Sequence, residues 1–275
     1  MKKTILITGC SSGIGYATAL YLQQSNWQVI ASCRKTEDVI RLQQAGFECV
    51  QLDVTNSQQI KYVLQDISAN RTLDAIFCNA GYGQTGAVED ISRSALREQF
   101  ETNVFGSWEC IQHAMVIFRR QGHGRIIVNS SILGFAAMPW RGAYNSSKFA
   151  LEGLCDTLRT ELLGSDIFVS LLQPGPITSQ FRPNALAKFH QHIDWQNSFH
   201  QQAYQQQLNR LNTKGNANPF TLPAEACAKA VLRCLNSSKP KARYQVTFPT
   251  RLYWWLRRLL PTRYFDWMNW KGGNK

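Results

Sequence analysis

Seven short apolar runs rich in isoleucine and valine punctuate the chain at residues 4–8, 27–33, 48–52, 73–78, 124–130, 166–172 and 244–248, separated by amphipathic stretches of helical length. The runs are continuously apolar rather than alternating, which marks strands covered on both faces. Repeated βαβ units of this kind predict an α/β fold, a doubly wound parallel sheet with helices on each side. Right-handed crossovers favour the strand order 3-2-1-4-5-6, with the seventh strand added at the edge. A chain of 275 residues of ordinary globular composition is read as one domain spanning 1–275.

The first run leads into "TGCSSGIG", which places Gly9, Gly13 and Gly15 between a strand and a helix. A tight turn there lets the backbone approach a pyrophosphate, and the helix N-terminus supplies free NH groups and the positive end of its dipole. This is the dinucleotide-binding (Rossmann) arrangement. A plain structural turn remains the competing reading of the glycines alone.

Composition removes several classes. No apolar run reaches the length of a bilayer crossing, and "MKKTILITG" is too short for a secretory signal, so a cytoplasmic protein is expected. The eight cysteines are scattered without a CxxC pair and read as reduced core residues. His190, His192 and His200 have neither helical ligand spacing nor an acidic partner, so no metal site is expected. The formal charge of +12 is concentrated in the last 37 residues, which hold nine Lys or Arg against Asp266.

The spacing T-G-x-x-x-G-x-G, then "DV", "NAG", "SS", "YNSSK" and "PGPITS" in that order, resembles the short-chain dehydrogenase/reductase family over residues 4–182. The resemblance implies that Ser11, Ser12 and Ile14 join the three glycines in holding a nicotinamide dinucleotide. It puts Asp53 and Val54 beside the adenine, and Asn79, Ala80 and Gly81 beside a ribose. Pro174, Gly175, Ile177, Thr178 and Ser179 follow at the nicotinamide carboxamide, Ser179 standing where the family has its threonine and Ile177 acting through its backbone. Asn103 matches the family's asparagine, implied to hold a helix backbone group and a water that relays protons from Lys148.

Tyr144 and Lys148 lie one turn apart in "AYNSSKFALEGL" and share a helix face. A nearby ammonium favours the ionised phenol, so Lys148 is expected to bring Tyr144 towards working pH as a general acid. The resemblance adds that Lys148 bonds the nicotinamide ribose and that Ser131, thirteen residues before Tyr144, bonds the substrate oxygen. Ser130 ranks below its neighbour.

The second strand ends in Cys33, followed by Arg34 and Lys35, where an acid would bind the ribose hydroxyls of NAD. Two cations there favour the 2′-phosphate of NADP, with Arg34 the better fork. Glu37 and Asp38 are expected to fall in the next helix, away from the ribose.

Residues 180–222 are rich in Gln and Asn with interspersed aromatics and are expected to form mobile helices, a substrate lid over an apolar pocket. Phe135, Met138, Trp140 and Phe181 are expected to touch substrate. Segment 250–275, "TRLYWWLRRLLPTRYFDWMNWKGGNK", mixes aromatics with arginines. It suits weak peripheral contact with an anionic membrane surface, or a cover for the pocket or a subunit; nucleic acid is not favoured, because no recognition module accompanies the charge. The motifs and the basic end resemble the branch holding 17β-hydroxysteroid and retinol dehydrogenases and bacterial oxidoreductases. That resemblance implies NADPH-dependent reduction of a lipophilic aldehyde or ketone, and a homodimer or homotetramer paired through residues 94–120 and 144–163. A catalytically idle NADP-binding sensor and a sugar-nucleotide epimerase are the alternatives; the kept Tyr–Lys pair argues against the first, and the glycine spacing and chain length against the second.

Overall fold

A computed structural model describes residues 2–212 and 218–273. Residues 213–217 of the expected lid, and Lys275 of the basic end, lie outside the described residues.

The strands are β1 (Thr4–Ile7), β2 (Gln28–Cys33), β3 (Glu48–Gln51), β4 (Ala75–Cys78), β5 (His123–Asn129), β6 (Asp166–Gln173) and β7 (Arg243–Gln245). They form one parallel sheet in the order β3-β2-β1-β4-β5-β6-β7, as the crossover rules predict. Of the seventh run, only Tyr244 and Gln245 lie in β7, and Phe248 opens the helix that follows.

The helices are α1 (Gly13–Gln24), α2 (Thr36–Gln44), α3 (Ser57–Asn70), α4 (Arg93–Phe100), α5 (Gly106–Gln121), α6 (Gly142–Glu161), α7 (Phe181–His192), α8 (Gln201–Asn212), α9 (Glu225–Asn236), α10 (Phe248–Leu259) and α11 (Thr262–Gly273). Alternate strand residues feed opposite faces of the sheet. Leu6, Ile30, Ile76 and Val128 join the core that holds Ile60 of α3, Ile111 of α5 and Leu151 of α6. Ile5, Ile7, Phe77 and Ile127 join the core that holds Leu22 of α1, Leu42 of α2 and Val231 of α9. Two covered faces are why the strands carry no polar alternation.

Between α4 and α5 the helix widens into a π-bulge, Glu101–Phe105, with Asn103 fully buried at its centre. Such a bulge rotates the side chains beyond it relative to a regular helix. Below the site, Gly124 of β5 admits the ring of Phe118: a Cβ there would lie 2.2 Å from Phe118 Cγ. Phe118 is wholly buried, so Phe118→Ala is expected to lower the unfolding free energy by about 3–5 kcal/mol, measured by denaturant titration.

Candidate active site

The order reversal between β1 and β4 opens a crevice beyond the carboxyl ends of the strands, where ligands of open α/β sheets bind. It is a cleft of about 900 Å³. Its walls include Gly9, Ser11, Ser12, Gly13 and Ile14 from the first turn, Arg34 and Lys35 after β2, and Asp53 and Val54 after β3. Asn79, Ala80 and Gly81 after β4, Asn129 after β5, and Ser179 and Phe181 complete them.

The turn is built for close approach. Gly9 and Gly13 have left-handed backbones (φ 72° and 59°), and a Cβ on Gly15 would lie 2.2 Å from the Gly9 carbonyl oxygen. Thr8 ties this turn to the next one: its hydroxyl accepts from the amides of Asn79 and Ala80, each at 3.0 Å. Asn79 Nδ2 donates to the carbonyls of Thr8 and Gly9, both at 3.0 Å, and its Oδ1 accepts from Asn129 Nδ2 at 2.9 Å. Arg41 donates to the Ser11 carbonyl at 2.7 Å and fixes the turn from outside. A dinucleotide fits this cradle: glycines where a Cβ would intrude, the N-terminus of α1 pointing into the cleft, and cations at the far wall.

At that wall Cys33 is buried and Arg34 and Lys35 are exposed. Asp38, contrary to expectation, also lines the cleft, because it sits in the first turn of α2; it is ion-paired to Arg41 at 2.8 Å. Glu37 is not among the lining residues. Asp53 Oδ1 accepts from the amide and hydroxyl of Thr55, closing the bend after β3.

Tyr144, Ser131 and Lys148 do not themselves line the cleft; Phe181 and Asn129, which do, connect it to them. Phe181 lines the cleft and meets Tyr144 edge-on, ring centroids 5.1 Å apart. Ser131, at the cap of a short 3₁₀ turn, bonds the phenol and accepts from Leu133 N at 3.1 Å. Ser130 faces the other way and donates to Glu152 at 2.5 Å, so the two serines have separate tasks. The Lys148 ammonium lies 5.6 Å from the centre of the Tyr144 ring and donates to the Asn129 carbonyl at 2.7 Å.

Two expectations need correction. Burial pushes the Tyr144 phenol up to about 12, and the Ser131 hydrogen bond opposes it only partly; in the protein alone, desolvation outweighs the help expected from Lys148. Burial also pulls the Lys148 ammonium down to about 8, against the pull of Glu152 one turn along α6. Asn103, in turn, clamps a loop rather than a helix backbone: its Oδ1 accepts from Tyr82 N at 3.1 Å, and its Nδ2 donates to Tyr82 O at 3.0 Å and to Ser147 Oγ at 3.1 Å.

Glu152 is a site residue that motif reading passed over. It is buried, accepts from Gln173 Nε2 at 2.8 Å and from Arg243 Nε at 2.9 Å, and so joins α6 to β6 and β7. Arg243 also reaches Asp156 at 2.6 Å. The sequence held a signal for it, an acid eight residues after Tyr144 on the apolar face of the same helix. Thr8 and Arg41 offered none, since their bonds depend on tertiary neighbours.

Past Pro174, whose carbonyl accepts from Ile132 N at 2.8 Å, the chain leaves the sheet. Gly175 packs on Thr247 and Thr250 rather than on the cleft. Thr178 N and Pro176 O pair with Leu222, a bridge that brackets Ile177.

Phe135 and Met138 join the apolar cluster around Tyr144, and Trp140 lies in a different one. Its left-handed backbone (φ 64°) puts the indole among Phe189, Ile193 and Tyr204 beneath the lid. The described part of the lid segment makes several contacts with the loop after β4 and with α4. Tyr204 is wholly buried, donates to Asp90 at 2.5 Å and accepts from Ala87 N at 2.8 Å, while Lys188 pairs with Glu98 at 3.0 Å. His192 pairs with Glu98 at 3.2 Å and His200 bonds Glu89; no group of three or more potential metal ligands gathers among the described residues.

The family model for short chain dehydrogenases matches residues 3–188. The chain is 38% identical to the uncharacterized oxidoreductase YbbO of Escherichia coli, over 97% of this chain and 93% of that protein. It is 31% identical to human 17-beta-hydroxysteroid dehydrogenase type 1, over 90% and 78%. A short-chain dehydrogenase/reductase from Burkholderia phymatum, solved in complex with NAD, shares the fold with a TM-score of 0.77 at 23% identity, over 94% and 95%.

The Lys148 shift has a measurable sign. An unfolded chain keeps that proton up to the ordinary value of 10.5, whereas the folded protein releases it near 8, so stability rises between those values. Lys148→Met is expected to flatten that part of the curve, seen by comparing denaturation midpoints of the two proteins across the interval.

Proposed function

The chain belongs to the short-chain dehydrogenase/reductase family of oxidoreductases, and from that premise we propose that it is an NADPH-dependent reductase of lipophilic aldehydes or ketones, working reversibly as an alcohol dehydrogenase. One observation carries the reading: a buried phenol, bonded by Ser131 and backed by the Lys148 ammonium, joined through Phe181 to a dinucleotide-sized cleft.

A reduced nicotinamide, when bound, supplies the hydride that reaches the carbonyl carbon. Tyr144 then gives its proton to the carbonyl oxygen, and Ser131 holds that oxygen by a hydrogen bond as charge develops. A phenol lifted to about 12 keeps its proton until the substrate oxygen becomes strongly basic, which suits reduction. Lys148, tied to the Asn129 carbonyl, holds positive charge beside the phenolate that remains and bonds the nicotinamide ribose. Asn103 sets the Tyr82 loop against α6 through Ser147 and so keeps Lys148 in place.

Arg34 supports NADP over NAD, since the acid that would repel a 2′-phosphate is replaced by buried Cys33, and Asp38 of the cleft wall is ion-paired with Arg41. The apolar cluster of Ile132, Leu133 and Phe135 around Tyr144 supports a lipophilic substrate. We read the chain as one domain, with 180–222 as its lid and 250–275 as an appended segment, placed in the cytoplasm on its buried, unpaired cysteines. Phe105 and Val116, exposed on α5 and its approach, support pairing of α5 and α6 between copies as a homodimer or homotetramer.

The reading is tested by screening purified protein against an aldehyde and ketone panel with both cofactors; no loss of NADPH absorbance on any member would favour the idle sensor. Tyr144→Phe is expected to lower turnover by about 10²–10⁴-fold with cofactor binding nearly intact. Arg34→Asp is expected to raise KM for NADPH by about 10–100-fold while changing that for NADH little, and equal effects would remove Arg34 from the phosphate.

A further inference from the structure

The last two helices have two apolar faces, and the protein uses only one of them. Inward, Tyr253, Trp254 and Leu256 of α10 and Phe265 of α11 pack over Ile132, Phe135 and Tyr144. Arg257 pins this roof by donating to the Phe135 carbonyl and lying over the Phe149 ring. The inner face of the basic end thus packs on the apolar cluster around Tyr144.

Outward, α10 exposes Phe248, Leu252, Trp255 and Leu259, at the spacing of a single helical stripe. The adjoining α11 exposes Tyr264, Trp267 and Trp270. The exposures are large: 58% for Trp255, 72% for Leu259, 56% for Trp267 and 59% for Trp270. Single apolar residues on a surface need no explanation, but a stripe running over two neighbouring helices does.

The charges beside the stripe say what covers it. Arg251, Arg258, Arg263 and Lys271 are exposed among the aromatics, and Asp266 is the one acid on these two helices. Arg258 lies 3.4 Å from the centre of the Trp254 ring, and Lys271 lies 3.9 Å from that of Trp267. A two-fold contact with a second copy would bring the same cations face to face, which costs affinity. An anionic lipid surface instead accepts them at its headgroups while indole rings sit at the acyl boundary. No helix among the described residues is long and apolar enough to cross a membrane, so the pair would lie in the interface plane.

We propose that α10 and α11 dock the protein onto bilayers containing anionic phospholipid, Trp255, Leu259, Trp267 and Trp270 entering the interface and the four cations meeting the headgroups. The roof of the reaction centre then rests on lipid, and the lipid phase is the source of the substrate. That last clause rests on the carbonyl-reductase reading; the docking itself does not.

The full-length protein is floated with phosphatidylcholine vesicles with and without phosphatidylglycerol. Flotation is expected only with the anionic lipid and is expected to weaken with added salt. Trp255→Ser, Trp267→Ser and Trp270→Ser combined should lower partitioning by at least about tenfold. Arg258→Gln and Lys271→Gln, which spare the apolar packing and serve if the tryptophan variant does not fold, should each lower it by about fivefold. NADPH binding, followed by fluorescence, should be unchanged in all of them. Absence of flotation, or variants that float like the wild type, would overturn the proposal. So would sedimentation showing a dimer that the tryptophan variant dissociates without any vesicle binding, which would make the face a contact between copies. Failure of the reductase reading shows elsewhere, as silent NADPH absorbance in vesicle-free assays of the wild type.

Discussion

A positive charge held out of water is the constraint around which this molecule is arranged. The Lys148 ammonium has the Asn129 carbonyl as its acceptor and Glu152 as the nearest carboxylate along its helix. Burying an ammonium is costly unless it is partnered, and its hydrogen-bond acceptor comes from another part of the chain, the end of β5. Asn129 ends β5 and reaches across to Asn79 after β4, which reaches to Thr8 and Gly9 after β1. The same bonds that keep Lys148 tolerable therefore fix the turns that form the cleft. One run of hydrogen bonds links the glycine turn to Lys148.

The architecture was legible because its determinants are local or periodic. Continuous apolar runs at βαβ spacing gave the strands, and handedness gave their order. Tyr144 and Lys148 could be paired because 3.6 residues per turn puts them on one face, and Ser131 because its family spacing is matched. Illegible were the contacts that depend on long loops meeting. Trp140 sits six residues from the end of the Phe135 turn, yet a left-handed backbone at that one position sends it beneath the lid. Asp38 falls in the next helix as expected, but the first turn of α2 borders the cleft, a tertiary placement that helix spacing alone does not give. The direction of the Tyr144 shift was misjudged because desolvation is a property of the packed interior, and a sequence displays the neighbouring amine but not the absence of water.

The lid and the roof divide the work of enclosing the centre. The lid carries its own small core of Phe189, Ile193 and Tyr204 and is pinned to the loop after β4 through Ala87 and Asp90. The roof packs straight onto the Tyr144 cluster. Phe181 stands between the two, touching Tyr144 and shielding Gly83, where a Cβ would lie 2.3 Å from its ring.

The ion pair between Glu152 and Arg243 joins residues 91 positions apart. On a ribosome adding about 5–20 residues per second, the carboxylate is made about 5 to 20 s before its guanidinium arrives. The walls of the cleft, drawn largely from residues 9–102, exist long before that. Most of the cleft walls are therefore synthesised well before the residue that ties α6 to the last strand of the sheet.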